Sequence, residues 1–310
     1  MTNSPFHLVS DFDGVWTEPA RELQAVHATL IQELATLTTR PLSLVEEDIA
    51  GFIQKILEKP ECFGWRIQGR FSSYVDEDFF ALPTAIGQFL EDATSSPEKV
   101  YLDALLTKHE SALAFLDSCY HKTCDRFRSD GTHDLTRGAE RVLEWLLAHQ
   151  VQITFVSNAP VEKIIDWFAA HGHPVVDGRS PASSEAPLRA YGRAGKQFLS
   201  NKPKSLVFGG REVQVDRPDY LALLEQASPD MVIGDVLSLD LALPLWMRQE
   251  KHPAAPIAVA LMHLKHSPDW VTRDIGKTPH APDFLVPHIT SLPRLVTQVR
   301  RMKSAGLALV

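Results

Sequence analysis

Carboxylates gather in this chain where apolar runs end. FHLVS leads into Asp11, Phe12, Asp13 and Gly14. VQITFVS ends at Ser157 and is followed by Asn158. DMVIG is followed by Asp235, with Asp240 five positions later. Like charges crowded together raise each other's pKa and cost stability. Such a set persists where a cation sits among the acids, or where one acid has to stay protonated for a task. At low effective dielectric, unpaired acids a few ångströms apart repel by several kcal/mol, and a divalent cation relieves the repulsion. The all-oxygen set of Asp11, Asp13, Asp235 and Asp240 favours Mg²⁺. That ion takes one or two carboxylates, keeps several waters and leaves room for a substrate phosphate.

These residues meet only if the runs before them are neighbouring strands. Residues 6–10, 151–157, 230–234 and 256–262 show little polar alternation, with a weaker run at 284–286. That pattern suits a parallel sheet covered on both faces. Helical patterns separate the runs, at 138–149 (GAERVLEWLLAH), 161–172, 219–227 and 292–302. Strand alternating with helix predicts an α/β fold with a doubly wound, Rossmann-like parallel sheet. Such sheets bind ligands at the carboxyl ends of their strands, where these acids lie.

Residues 17–136 break the rhythm, with no strong strand run. Leu23, Val26, Leu30, Leu34 and Leu37 recur at helical spacing, and residues 43–57, 79–93 and 98–126 read similarly. The sequence thus predicts a core domain of residues 1–17 and 136–310, with an α-helical domain inserted at 18–135. The insertion is interrupted by an aromatic and basic loop at 63–80 bearing Arg66, Arg70 and Tyr74. Residues 177–204, rich in Ser, Pro, Ala and Gly, read as loop. Gly209-Gly210 between β-prone runs predicts a hairpin.

Composition narrows the field. The chain has 310 residues, is 44% hydrophobic and 23% charged, and carries a formal net charge of −8. An acidic chain of ordinary globular composition argues against nucleic acid or a membrane surface as the main partner. Cys62, Cys119 and Cys124 form no C-x-x-C pair, so a disulfide framework is not expected and a reducing cytoplasm is. The first residues do not read as a secretory signal, and no uncharged apolar run approaches membrane-spanning length.

DFDGVWT resembles the first motif of the haloacid dehalogenase (HAD) superfamily, Asp-x-Asp-Gly followed by two apolar residues and Thr. ITFVSN resembles its second motif and VIGDVLSLD its fourth; APDFLVPHITSLPRLV is similar to its last strand and helix. The resemblance covers the core and implies a phosphatase-type hydrolase of this superfamily. It implies Asp11 as the nucleophile that becomes an aspartyl phosphate, and Asp13 as general acid and then base. It also implies Mg²⁺ held by Asp11, the Asp13 carbonyl and Asp235, with Asp240 as a ligand through water or as orienter of a cation. Ser157 and Asn158 would bind phosphate. The family's third-motif lysine has no direct match. Arg217-Pro218 fits its place before a helix, and Lys196, Lys202 and Lys204 lie upstream as alternatives. The insertion resembles a helical cap, whose Arg66, Arg70 and Tyr74 would contact the non-reacting part of the substrate.

The expected function is Mg²⁺-dependent hydrolysis of a small phosphomonoester. A dehalogenase-type hydrolase and a catalytically weak binding or regulatory protein of the same fold are the alternatives. Asp13 counts against dehalogenation, because a leaving halide needs no proton. Each residue also has an ordinary role open to it: Ser157-Asn158 as a helix cap, Asp240 as a first-turn acid, Arg217 as a surface ion-pair residue. GRAGK at 192–196 lacks the spacing and the final Ser or Thr of a phosphate loop.

Overall fold

The computed structural model describes residues 5–130, 133–181, 186–278 and 280–305. The chain divides into two compact units. One comprises Met1–Glu18 with His133–Val310, and the other Pro19–Thr132.

The first unit is built on a seven-stranded sheet. In chain order its strands are β1 (Phe6–Ser10), β4 (Val151–Val156), β5 (Val176–Asp177), β6 (Leu188–Tyr191), β9 (Met231–Gly234), β10 (Ala258–Met262) and β11 (Phe284–Val286). Their spatial order is β11-β10-β9-β1-β4-β6-β5, and every pairing is parallel. β9 and β10 are buried at every position, and Leu8 and Val9 of β1 are almost fully buried. Strands covered on both faces select uninterrupted apolar runs, so these segments were readable in sequence. The connecting helices are α6 (Ala139–Ala148), α7 (Val161–Ala170), α8 (Pro218–Ala227), α9 (Ala242–Gln249), the short α10 (Asp269–Thr272) and α11 (Leu292–Ala305).

β1 pairs with β4 on one side and β9 on the other. The chain leaves β1 towards β4 and later returns to β9 across it. The order of strands therefore reverses at β1, and Asp11 follows that strand directly. Such a reversal opens a crevice at the carboxyl ends of an α/β sheet.

The second unit is mainly helical: α1 (Ala20–Thr38), α2 (Leu42–Leu57), α3 (Leu82–Glu91), α4 (Glu98–Leu106) and α5 (Ala112–Ser129). Leu30, Leu34, Val45, Ile49, Phe52, Ile86, Leu90, Tyr101, Leu105 and Phe115 form its own core.

Three expectations are corrected. Residues 63–80 are not a plain loop but contain a hairpin, β2 (Gly64–Ile67) with β3 (Arg70–Tyr74), antiparallel and with a bulge at Trp65/Arg66. Residues 98–126 are not one helix; α4 ends at Leu106 and α5 begins at Ala112. Residues 177–204 are not all loop, because β6 crosses them and pairs with β4. The expected hairpin at Gly209-Gly210 is present as β7 (Ser205–Phe208) and β8 (Arg211–Gln214). No helix among the described residues is long and apolar enough to cross a membrane.

Candidate active site

The turn after β1 is held by its bulky residues. Trp16 is fully buried, packs edge-on against Phe155 and Phe168 at 5.6 and 5.7 Å, and donates from Nε1 to Ser10 Oγ at 2.8 Å. Phe12 packs edge-on against Phe168 and Trp167. The Asp11 amide continues the sheet ladder by donating to Ile233 O at 2.9 Å. With Phe12 and Trp16 fixed inward, Asp11 and Asp13, on either side of Phe12, are left at the strand end.

Gly14 is required by both conformation and space. Its φ is +78°, and a Cβ there would lie 2.2 Å from Asp235 Oδ2. Asp235 thus rests directly on the first turn. Gly234 plays the matching part for Asp240, since a Cβ at 234 would lie 2.3 Å from Asp240 Cβ. Asp240 lies in a π-helical turn, Leu237–Leu241, and accepts from the Val236 amide at 3.1 Å. We expect Gly14→Ala to fold with reduced stability, because an L-residue is strained at this φ and its Cβ displaces Asp235. An unchanged melting temperature would contradict this account of the turn.

Ligand oxygens of Asp11, Asp235 and Asp240 all lie within 4.8 Å of one another. One ammonium bridges two of these acids: Lys196 Nζ is 2.6 Å from Asp11 Oδ1 and 2.6 Å from Asp240 Oδ1. Burial raises the Asp11 pKa above the ordinary carboxylate range. Lys196 opposes that shift, and Asp240 and Asp13 add to it. Burial pulls the Lys196 pKa down, but Asp11 and Asp240 outweigh it, so the ammonium is held protonated. Tyr220 is buried beside this group, its pKa raised chiefly by burial, and donates from its hydroxyl to Asp240 O at 2.8 Å. Three clustered acids here share the one Lys196 ammonium. A hard divalent cation fits this all-oxygen set.

Asp13 has different partners. Its Oδ1 accepts from Thr17 Oγ1 at 3.1 Å and from Lys163 Nζ at 3.0 Å. Lys163 comes from the first turn of α7 and is itself buried, with its ammonium 5.4 Å from the Trp167 ring centroid. The two acids of D-F-D therefore have different hydrogen-bond partners.

Ser157 is buried at the end of β4. Its amide donates to Tyr191 O at 3.0 Å and its Oγ accepts from the Ala159 amide at 3.1 Å. Asn158 does not cap α7, whose N-cap is Pro160 with no side-chain hydrogen bond. Its Oδ1 instead accepts from the Lys196 amide at 3.0 Å. Arg217 is not a surface residue. It is 1% exposed and donates from Nε to Gln214 O at 3.2 Å and from Nη1 to Lys196 O. Lys196, one of the upstream lysines left as alternatives, is bonded to Asp11, while Arg217 donates to main-chain carbonyls. Lys202 and Lys204 are exposed in the loop beyond.

Arg66, Arg70 and Tyr74 lie on the β2–β3 hairpin of the second unit. Tyr74 is buried and stacks on Phe71 at 5.2 Å, and the Arg66 guanidinium covers the same ring at 4.5 Å while donating to Cys62 O. These contacts give Arg66 and Tyr74 a part in holding the hairpin together. Sequence reasoning missed Lys163 and Tyr220, and held Lys196 only as an alternative to Arg217. The signal for Lys196 was its place after a strand end, and that strand, β6, was not recognised.

No protein-family model matches the chain, and no curated protein matches it. Solved structures similar to it include YfnB of Bacillus subtilis, assigned as a HAD hydrolase and bound to magnesium. It is 12% identical, with 95% of this chain and 100% of that one covered and a TM-score of 0.45. A 2-haloacid dehalogenase of Pseudomonas syringae pv. tomato DC3000 is 15% identical, with 95% and 99% covered and a TM-score of 0.41. A Thermotoga maritima protein assigned as a beta-phosphoglucomutase is 11% identical, with 95% and 99% covered and a TM-score of 0.44. Similarity at this level leaves function to be read from the site.

Proposed function

We propose that the chain is a phosphatase-type hydrolase of the HAD superfamily, acting on a small phosphomonoester through an aspartyl phosphate. The observation that carries this reading is the split between the two acids of the first turn. Asp11 lies with Asp235, Asp240 and the bridging Lys196, whereas Asp13 bonds to Thr17 and Lys163. Asp11, beside the Lys196 ammonium in the carboxylate cluster, suits a nucleophile, and Asp13, held outside that cluster by Thr17 and Lys163, suits proton transfer.

In this reading an Asp11 oxygen attacks phosphorus and the ester P–O bond breaks. Asp13 delivers a proton to the departing alkoxide oxygen. Water then attacks the phosphorus of the aspartyl phosphate, Asp13 takes its proton, and the P–O bond to Asp11 breaks to release inorganic phosphate. Lys196 neutralises charge between Asp11 and the phosphoryl oxygens, and Ser157 Oγ donates to one of them. Asp11, Asp235, Asp240 and the Asp13 carbonyl would hold Mg²⁺, which when bound supplies positive charge to the transferring phosphoryl group. The inserted unit would serve as the cap, with Arg66 and Arg70 bearing on choice of leaving group. Asp13 disfavours the dehalogenase reading, since halide departs without a proton.

A phosphomonoester panel with and without Mg²⁺ tests the proposal. Hydrolysis of at least one ester should vanish in EDTA and return with Mg²⁺, and Zn²⁺ should replace it poorly at a site without His or Cys. Full activity after exhaustive chelation would exclude the metal role. Release of halide from a 2-haloacid, with every phosphoester inert, would favour the dehalogenase reading.

A further inference from the structure

Lys196 reaches the acids from a loop whose own sequence does little to fix its shape. Residues 192–196 are Gly-Arg-Ala-Gly-Lys, and both Arg193 (φ 46°) and Gly195 (φ 67°) are left-handed. A lysine side chain has four rotatable bonds, and its ammonium can be placed reproducibly only if its backbone is placed first. Main-chain bonds tie the start of the loop to the end of β4, from Arg193 N to Ala159 O and from Ala194 N to Ser157 O. Two side chains then take hold of Lys196 itself. Asn158 Oδ1 accepts from its N–H at 3.0 Å, and the Arg217 guanidinium donates to its C=O.

We infer that Asn158 and Arg217 are positioning residues, which clamp the backbone of Lys196 from both sides so that its ammonium bridges Asp11 and Asp240. A guanidinium buried to 1% exposure is costly unless its donors are used, and here Nε meets the Gln214 carbonyl and Nη1 the Lys196 carbonyl. Arg217 therefore links the end of the β7–β8 hairpin to the lysine loop. Asn158 links the same loop to the turn after β4. The planar fork of Arg suits this task better than the single ammonium of Lys. The positive charge that the sequence places before α8 thus acts through another residue.

The inference rests on the phosphatase reading only for its kinetic arm. The first arm is chemical labelling of the full-length protein with acetic anhydride, followed by mass spectrometry of individual lysines. In the wild type, Lys196 should react far more slowly than exposed Lys202. In Asn158→Ala and in Arg217→Met, Lys196 should become about tenfold or more reactive, while the other buried lysine, Lys163, stays protected. That control separates local release from unfolding, and Asn158→Ala carries the test if Arg217→Met does not fold. Arg217→Lys should lie between. The second arm measures kcat/KM on the best ester of the panel. Each single variant should lose about 10- to 100-fold, and in a Lys196→Met background each should cost less than about threefold, because a positioning residue has nothing left to position. Unchanged Lys196 labelling in both variants would overturn the inference. So would an undiminished loss from Arg217→Met in the Lys196→Met background, which would show Arg217 acting on the phosphate directly. If no ester is hydrolysed, the labelling arm still decides the clamp while the functional reading fails.

Discussion

Asp11→Asn should leave the fold intact and lower phosphomonoester turnover by about 10⁴ or more, which is about 5 kcal/mol of transition-state stabilisation. The amide is a poor nucleophile and cannot form the acyl phosphate. It also removes one of three crowded carboxylates, so the variant should melt no lower than the wild type in EDTA and gain less from added Mg²⁺. Radiolabelled phosphate should become covalently attached to wild-type protein during turnover and remain absent from the variant. A variant within tenfold of the wild-type rate would refute nucleophilic attack by Asp11.

Lys196→Met should cut turnover by about 10²–10³, the loss found when one preorganised electrostatic contact is removed from a transition state. The same change leaves Asp11 and Asp240 without the ammonium that now bonds to both at 2.6 Å. Its melting temperature should therefore fall in EDTA and recover in part with millimolar Mg²⁺, since a divalent ion replaces some of the missing charge. Lys202→Ala, in the exposed part of the same segment, should change neither quantity by more than about twofold. Equal effects from Lys196 and Lys202 would mean that the buried bridge has no special role.

The sheet core and its acids were legible because both-face burial forces apolar runs, and because Gly14 and Gly234 mark places where an acid packs against bare backbone. The choice of Lys196 over Arg217 was not legible for a related reason. β6 is only Leu188–Tyr191, with Arg189 inside it, and β5 has two residues, so neither shows the long apolar signature of β1 or β4. Without β6 the Lys196 loop had no strand end to follow, and Arg217 beside Pro218 at the start of a helix was the more conspicuous choice. Whether a charged residue faces a ligand or a main-chain carbonyl depends on which loops lie beside it, and sequence spacing alone does not encode that. The β2–β3 hairpin escaped for another reason, since its strands carry Arg66 and Arg70 and a bulge interrupts their alternation.

The first unit is interrupted between Glu18 and His133, yet the two cut ends meet. Thr17 and Leu135 form an isolated antiparallel bridge, and the Thr136 amide donates to Trp16 O at 2.7 Å. Chain entropy gives this small seam a disproportionate consequence. The cost of joining two ends grows only logarithmically with the length between them, by about 0.6 kcal/mol per doubling. Whatever occupies Pro19–Thr132 can therefore be lengthened, shortened or exchanged at little cost to the sheet, provided that its ends reach the seam. The core is in this sense a socket, and the inserted unit a cassette that descent could replace while Asp11 and Asp13 stay where they are.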